Sequence, residues 1–593
     1  MTQTTSEKTL SGARIAVLRS RLDGISRKMA SALMRAGRSG VLNRAKDLSC
    51  AILSADCKLL SAADSLPIHV LSGPDLMAET MLRYHPNLKR GDAFLHNCPY
   101  HGCSHAADHS ILVPVIDDQG IHRFTVLVKA HQADIGNSIA TTYFAEARDV
   151  YEEGALIFPA VKVQSNYETI DDIVRMCRAR IRVPDQWYGD FLAMIGAARC
   201  GENELLALGQ EAGWDMLEDF VDALVAYGDQ QMREALSGLP AGEATASSTH
   251  DPMPGTPSSG VRVSATVRID PVEGKVVVDL RNNPDALPCG LNVSEACTRT
   301  AALIGIFNTL APNVVKNAGS IGRVEILIRE GSAIGGAKHP ASFSVSTTNL
   351  ADRIVAAVQL AVSELVPERG LAEVGAVNPP HKGVVSGVDP RNGRPFINQM
   401  FLGSTGGAAS AHADAWLTYS HAGNAGMSFV DSIEMNEMHH PLRVLSRRLL
   451  PNSEGPGRHC GAPSLEVELG PVGAPVTIAY VSDGTVNCAQ GAAGGGAGGP
   501  ARQFKRGRDG KLKPLPPYGR LTLDPGETVL SIGTGGGGFG RPEERPVEKV
   551  LADLRDGRLT AARAQEIYGV VVDAEGRLDR EATRRLREQR MTA

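Results

Sequence analysis

The chain has 593 residues, 42% hydrophobic and 21% charged, with a formal net charge of −5. That length suggests roughly three or four domains, and the mild acidity argues against a general nucleic-acid binder. The first ten residues are polar and lack the apolar core of a signal peptide. No run approaches the roughly 20 apolar residues needed to span a bilayer. The 10 cysteines are scattered and none forms Cys-x-x-Cys, which fits reduced thiols better than a disulfide framework. A cytoplasmic protein with neither nucleic acid nor membrane as partner is expected.

In chain order, Ile15, Leu18, Leu22, Ile25, Met29 and Leu33 recur every three or four residues, an amphipathic helix ending near Gly37. Leu48–Leu53 and Lys58–Ser61 flank Ser54-Ala55-Asp56-Cys57, a short hairpin. Ser110–Ile116 is β-branched and apolar, Asp117–Gly120 is a turn, and Ile121–Lys129 resumes the strand pattern. That is a second hairpin signal, and together the two imply a mixed sheet with a helix packed on it. If the turn centres between Asp118 and Gln119, facing residue numbers sum to 237. His105, Asp108 and His131 then meet at the open mouth of the hairpin. Two imidazoles and a carboxylate suit a divalent ion such as Zn²⁺, Mn²⁺ or Fe²⁺. They are equally read as polar residues satisfied at a strand end. A thiolate set of Cys98 and Cys103 with His105 ranks below the His/Asp/His set.

From Ile170 to Leu236 the pattern is strongly helical, and Ser237–Gly260 reads as a linker or surface loop. Val261–Ile269 and Lys275–Arg281 form a hairpin about Pro271-Val272-Glu273-Gly274, and Val324–Ile328 is a strand between helix-like Ser294–Thr309 and Arg353–Leu365. Beyond Asn378 glycines dominate. No Gly-Lys-Ser/Thr follows them and no strand–turn–helix surrounds them, so a nucleotide site is not expected. Such glycines either line a cleft or let loops cross tightly, the second being favoured. Arg502–Lys513 is basic and reads as a solvated loop, and Glu544–Met591 as charged helices with a short strand, a tail able to clasp a partner. The expected fold class is α+β, with mixed sheets, long helices and a Gly-rich, loop-dense C-terminal half. The expected domains are 1–245 with the metal-site hairpin and long helices, 246–545 as an α+β unit with Gly-rich loops, and 546–593 as a charged tail.

Asn97–Asp108 resembles the N-D-P-Y-x-G-G-[TS]-H-x-x-D signature of the hydantoinase B/oxoprolinase family, and Ala130–Gly136 its A-H-x-A-D-I-G segment. Asp149–Gly154, Glu434–Pro441, Asn452–Arg458, Gly535–Gly540 and Tyr568–Val571 resemble further family segments in order, so the likeness spans nearly the whole chain. It departs at Cys98, where Asp is usual, and at Cys103, where Gly is usual. The resemblance implies that His105, Asp108 and His131 hold a divalent metal, with Asp134 as general base or as orienter of a ligand histidine. The rival role for Asp134 is turn capping. His69, in Pro67-Ile68-His69, is a secondary candidate beside the cleft, with a structural histidine as the favoured reading. The acidic residues of Asp149–Gly154 are read either as further ligands or as a solvated loop. The resemblance further implies a hydantoinase A-like ATPase partner in a hetero-oligomer such as (AB)2. The partner would spend ATP to phosphorylate a cyclic amide, and this subunit would complete ring opening. The alternatives are the large subunit of an acetone- or acetophenone-type carboxylase, and a non-catalytic scaffold for the ATPase.

Overall fold

A computed structural model describes residues 10–63, 66–375 and 377–592. The expected first helix is Gly12–Ala36, opened by Ser11, whose side chain accepts the Arg14 N–H, and closed at Gly37. Behind it lies a seven-stranded sheet: β1 Leu48–Ser54, β2 Leu59–Ala62, β3 Ala93–His96, β4 Asp108–Ile116, β5 His122–His131, β6 Val161–Ser165 and β7 Glu168–Thr169. The spatial order is β2-β1-β5-β4-β3-β6-β7, and every neighbouring pair is antiparallel.

The period-2 alternation divides the side chains of this sheet between two apolar layers. Cys50, Ile52, Ile111, Val113, Val126 and Val128 pack under the first helix and the long helices Pro184–Ala212 and Trp214–Ser237. Ala51, Leu53, Leu112 and Leu127 pack on the other side against Met77, Ala78 and Met81 of helix Pro74–Tyr84. With both faces covered, β1 and β4 are buried at every residue.

The β4–β5 register departs from expectation. Val115 faces Phe124 and Asp108 faces His131, a sum of 239, and a bulge separates Val115 from Ile116. Asp117 Oδ1 accepts the amides of Gln119 and Ile121 at 2.9 and 2.8 Å, which sets the turn. The shift is two residues, so every side chain keeps its face.

Residues 237–260 are not a linker. Gly242–His250 is a strand pairing with Val261–Asp270 over nine residues. Polar residues alternate there with buried Ser248 and His250, a pattern that composition alone reads as loop. The second sheet also holds Lys275–Asp279 and, in parallel with it, Val324–Leu327, which makes this sheet mixed. Its core is continuous with helices Glu295–Thr309 and Leu350–Leu365.

Two further sheets of four and five strands enclose a common apolar layer that includes Val385, Leu402, Val467, Ile478, Leu521 and Val529. The basic run 502–513 is a hairpin of Arg502–Arg506 and Leu512–Pro514 at the edge of the five-stranded sheet. Arg506 pairs with Glu468, and Lys505 with Glu527. The glycine loops cross tightly, as favoured. A Cβ at Gly536 would overlap the Gly407 carbonyl oxygen, and one at Gly455 or Gly461 would overlap that of Gly536. Their peptides bond directly instead: Gly455 N–H to Gly536 O at 3.0 Å, and Gly536 N–H to Ala462 O at 2.9 Å. The terminal helices Val547–Arg555 and Ala561–Tyr568 fold back on these loops, with Tyr568 OH donating to Glu454 at 2.9 Å and Arg545 bridging Asp414 and Asp553. The tail clasps its own chain.

Candidate metal centre

Strands β1, β5 and β4 are neighbours and end together. Continuing the β1–β5 register from Leu48 opposite Ala130 places Asp47 beside His131, and the His131 N–H donates to Asp47 O at 3.1 Å. Asp108 faces His131 from the other side. Three strand ends thus set Asp47, His131 and Asp108 in a row on the face shared with Leu112 and Leu127. His105 enters from the turn that precedes β4. Asn97 anchors that turn by donating to Ala106 O at 2.6 Å and accepting the Phe158 amide at 2.6 Å.

The donor atoms converge. His105 Nε2 lies 3.2 Å from His131 Nδ1, and each lies 3.2 Å from Asp108 Oδ1. Among the described residues, this buried trio is the one group of three or more such side chains able to hold a metal ion. Ligands bonded to a divalent ion at about 2.0–2.2 Å stand roughly 3 Å apart, so the spacing fits. The outward nitrogens are also placed for ligation. His105 Nδ1 donates to Ser344 O across 3.0 Å, leaving Nε2 as the free lone pair, and His131 Nε2 lies 3.3 Å from Thr142 Oγ1. Tyr143 stacks on His131 at 5.4 Å between centroids and tilts over His105.

Asp108 is the electrostatic centre. Its second oxygen accepts from Ser104 Oγ and lies 3.2 Å from His69 Nε2. Burial alone would raise its carboxyl, but His69, His105 and His131 together hold it well below the usual carboxylate range. Burial likewise disfavours charge on His105, and Asp108 more than offsets this and raises it. Lys129, fully buried on the same face, donates to Ser104 Oγ at 3.3 Å.

His69 stands at the site, with its Nδ1 3.3 Å from Ser49 Oγ and its Nε2 3.6 Å from Asp47 Oδ1. Asp47 went unread in the sequence; its signal was a lone carboxylate directly before the apolar run of β1. Asp134 is placed otherwise. Its carboxylate accepts the Arg182 amide and guanidinium at 2.6 and 2.9 Å and the Gly136 amide at 3.2 Å, the turn-capping arrangement. The structure does not bring Asp134 into bonding contact with the trio.

The thiolate set is not formed. Cys103 aims its thiol at the carbonyls of Asp108 and His105, at 3.2 and 3.5 Å, and burial pushes Cys98 up to about 11. In the acidic segment Asp149 caps the short helix Val150–Glu153 and Glu152 pairs with Arg148. Glu153 is buried and accepts the Ser342 hydroxyl at 2.7 Å, and burial raises its carboxyl.

Two spaces are lined by neighbouring residues of two short segments. A small cavity of about 20 Å³ is lined by His131, His69, Asp47 and Tyr143, and by Ile68, Asn424 and Ser428. An open groove of about 490 Å³ is lined by Pro67, Val70 and Leu71, and by Ala425 and Met427. Residues 67–71 and 424–428 thus contribute to both, Ile68, His69, Asn424 and Ser428 to the cavity and Pro67, Val70, Leu71, Ala425 and Met427 to the groove.

Residues 12–542 match the hydantoinase B/oxoprolinase family. The chain belongs to that family. It is 28% identical over 578 residues to caprolactamase subunit beta of Pseudomonas jessenii, covering 96% of this chain and 97% of that one. The crystal structure of ATP-dependent caprolactamase from Pseudomonas jessenii superposes with a TM-score of 0.89 at 27% identity, over 98% of this chain and 100% of the other. A nucleotide-free acetone carboxylase shares the fold, with a TM-score of 0.86 at 18% identity, over 98% of this chain and 82% of its own. Among the described residues no helix is long and apolar enough to cross a membrane.

Proposed function

We propose that this chain is the metal-bearing subunit of an ATP-dependent cyclic-amide hydrolase, opening a ring that a partner ATPase subunit has activated by phosphorylation. The observation that carries this reading is the convergence of His105, Asp108 and His131 at one sheet edge, in a family member similar to a caprolactamase subunit along its whole length. In this reading the partner is a hydantoinase A-like ATPase, the assembly is a cytoplasmic hetero-oligomer such as (AB)2, and ATP is used through the partner. The trio would hold the ion: Zn²⁺, Mn²⁺ and Fe²⁺ all accept two imidazoles and a carboxylate.

An amide is a poor electrophile, and phosphorylating its oxygen opens the ring carbon to attack by water; the C–N bond then breaks to leave an amine and an acyl phosphate, which a second water hydrolyses to carboxylate and phosphate. A divalent ion held there supplies Lewis acidity and lowers the pKa of water towards about 7. The protein supplies the rest. The Ser344 carbonyl fixes the His105 tautomer, Ser104 and His69 orient Asp108, and Tyr143 walls the imidazoles from solvent. The intact trio weighs against a bare scaffold. The carboxylase likeness is one of fold, with the chain spanning 82% of that larger subunit.

The test is co-purification with a hydantoinase A-like ATPase subunit, followed by assay of lactams and hydantoins with ATP. Ring opening with no gain of carbon, lost together with bound metal in His131→Ala, is the expected result. Bicarbonate consumed in step with ATP would move the chain to the carboxylase branch, and unchanged ring opening in His131→Ala would leave it a scaffold.

A further inference from the structure

The small cavity beside His131 holds a charge that the ring-opening reading has not used. Lys382 is 2% exposed and lines it together with His69, His131, Gln399 and Asn424. Its ammonium donates to Ser420 O at 2.7 Å and Ser420 Oγ at 3.3 Å, and among the described residues no carboxylate lies within ion-pairing distance of it. Burial pushes it down to about 8, against the pull of Asp352 and Asp47. Lys382 bonds only to neutral oxygens, and Asp47, which lines the same cavity, stands beyond ion-pairing distance; a buried cation is then only partly compensated, and an anion in the cavity would pair with it directly.

A second observation is independent of Lys382. Gln399, whose side chain also bonds Tyr143, and Asn424 line the same cavity, and Gln399 Oε1 and Asn424 Oδ1 are buried with no hydrogen-bond partner. Buried acceptors of this kind are normally paired. The cavity therefore offers a cation for an anion and two free acceptors for an N–H, next to a metal-ligand cluster.

Resting on the hydrolase reading, we propose that Lys382 is the phosphoryl-binding residue of this site, holding the activated cyclic amide by its phosphate oxygens while Gln399 and Asn424 accept from the former ring nitrogen as it gains hydrogen on C–N cleavage. A phosphorylated cyclic amide carries both features a few bonds apart: phosphoryl oxygens on the former carbonyl oxygen, and a nitrogen that bears hydrogen as the ring opens. At about 20 Å³ the cavity holds one water. Room for a ring must come from the groove side, where Pro67–Leu71 and Ala425–Met427 form the partition.

The probe is inorganic phosphate, titrated calorimetrically into the metal-loaded full chain as wild type, Lys382→Met and Lys382→Arg, with metal content measured in each. Removing a buried charge partner is expected to weaken phosphate binding about thirtyfold or more in Lys382→Met with metal retained, and Lys382→Arg to restore most of it. Equal affinity in Lys382→Met with metal retained, or no phosphate binding by the wild type, overturns the assignment. A wild-type measurement guards against a methionine variant that does not fold. Crystals soaked in vanadate should show the anion against Lys382 Nζ, and an anion bound only elsewhere overturns the assignment. Neither readout needs the ATPase or a lactam. Phosphate bound at Lys382 with no cyclic amide ever opened would sink the hydrolase reading alone; ring opening with no anion at Lys382 would sink only this one.

Discussion

The sheet that carries the trio and the glycine loops around Gly536 solve opposite packing problems. In the sheet, side chains do the packing: alternate residues of β1, β4 and β5 fill two apolar layers, and the polar residues of one face collect at the strand ends. Around Gly536 the backbone does it, with peptide bonded to peptide where a methyl group would overlap a carbonyl. Tolerance should follow from this. A side-chain core gives way by rotamer changes and small shifts, whereas a backbone core has nothing to move except the chain itself. Chemistry sits in the first region because side chains carry it.

The largest effect should therefore come from the smallest substitution. Gly536→Ala adds one methyl group against the Gly407 carbonyl oxygen. It is expected to abolish folded protein or to lower stability by about 3 kcal/mol or more, read by urea denaturation. A Gly536→Ala chain with a wild-type denaturation midpoint would erase the contrast between the two regions.

His131→Ala reverses the pattern. It should remove bound metal and lower ring opening at least about a hundredfold, while shifting the melting temperature far less than Gly536→Ala does. Metal content by emission spectroscopy and turnover with the ATPase present check both halves. Loss of fold at this position would mean that the trio is structural.

Asp352, on the helix Leu350–Leu365, belongs to neither region, and its behaviour is a matter of pH. Its Oδ1 accepts the Gly423 amide at 2.9 Å, and its Oδ2 is buried without a partner. Burial pushes this carboxyl up to about 7. Between the usual carboxylate value and about 7 the folded state keeps a proton that the unfolded chain has released. The stabilisation is thus full below pH 3.8 and lost as pH rises to about 7. Asp352→Asn, which cannot ionise, should flatten that part of the stability–pH curve by an amount on the order of a few kcal/mol. Identical slopes in the two proteins would show that Asp352 is charged when folded.

The two regions also differ in how far the sequence reveals them. Hairpin signals around Asp117 bring His105, Asp108 and His131 together even with the register two residues out, because an even slip keeps faces. His69 was visible as a candidate. Asp47 was not, because its position depends on β1 pairing with β5, a contact between distant segments. Lys382 arrives from about 250 residues away and has no local mark. Asp134 looked catalytic beside His131, but its turn and Arg182 take its oxygens. For the glycines the sequence shows density and not partners: nothing local says that Gly536 meets Gly407, Gly455 and Gly461. The strand Gly242–His250 was hidden by polar composition, since its inward face holds Ser248 and His250 where apolar residues would have signalled it.

The smallest expected effect tests how the first region holds its chemistry. Ser104 immediately precedes His105 and is fully buried; its hydroxyl donates to Asp108 Oδ2 and accepts from Lys129 Nζ. Ser104→Ala adds no bulk, so packing should survive. It leaves Asp108 Oδ2 with His69 and deprives Lys129 of its hydroxyl partner, at a cost of about 1–3 kcal/mol in stability. The specific consequence is for Asp108, which loses one of the two contacts that orient it. Metal affinity should fall about ten- to a hundredfold, the usual range for an outer partner of a ligand, with the saturating rate of ring opening restored by excess metal. Ser104→Thr keeps the hydroxyl and should recover the affinity if its methyl group is accommodated. A stability loss with metal affinity unchanged would mean that Ser104 serves Lys129 alone and that Asp108 is oriented by the histidines.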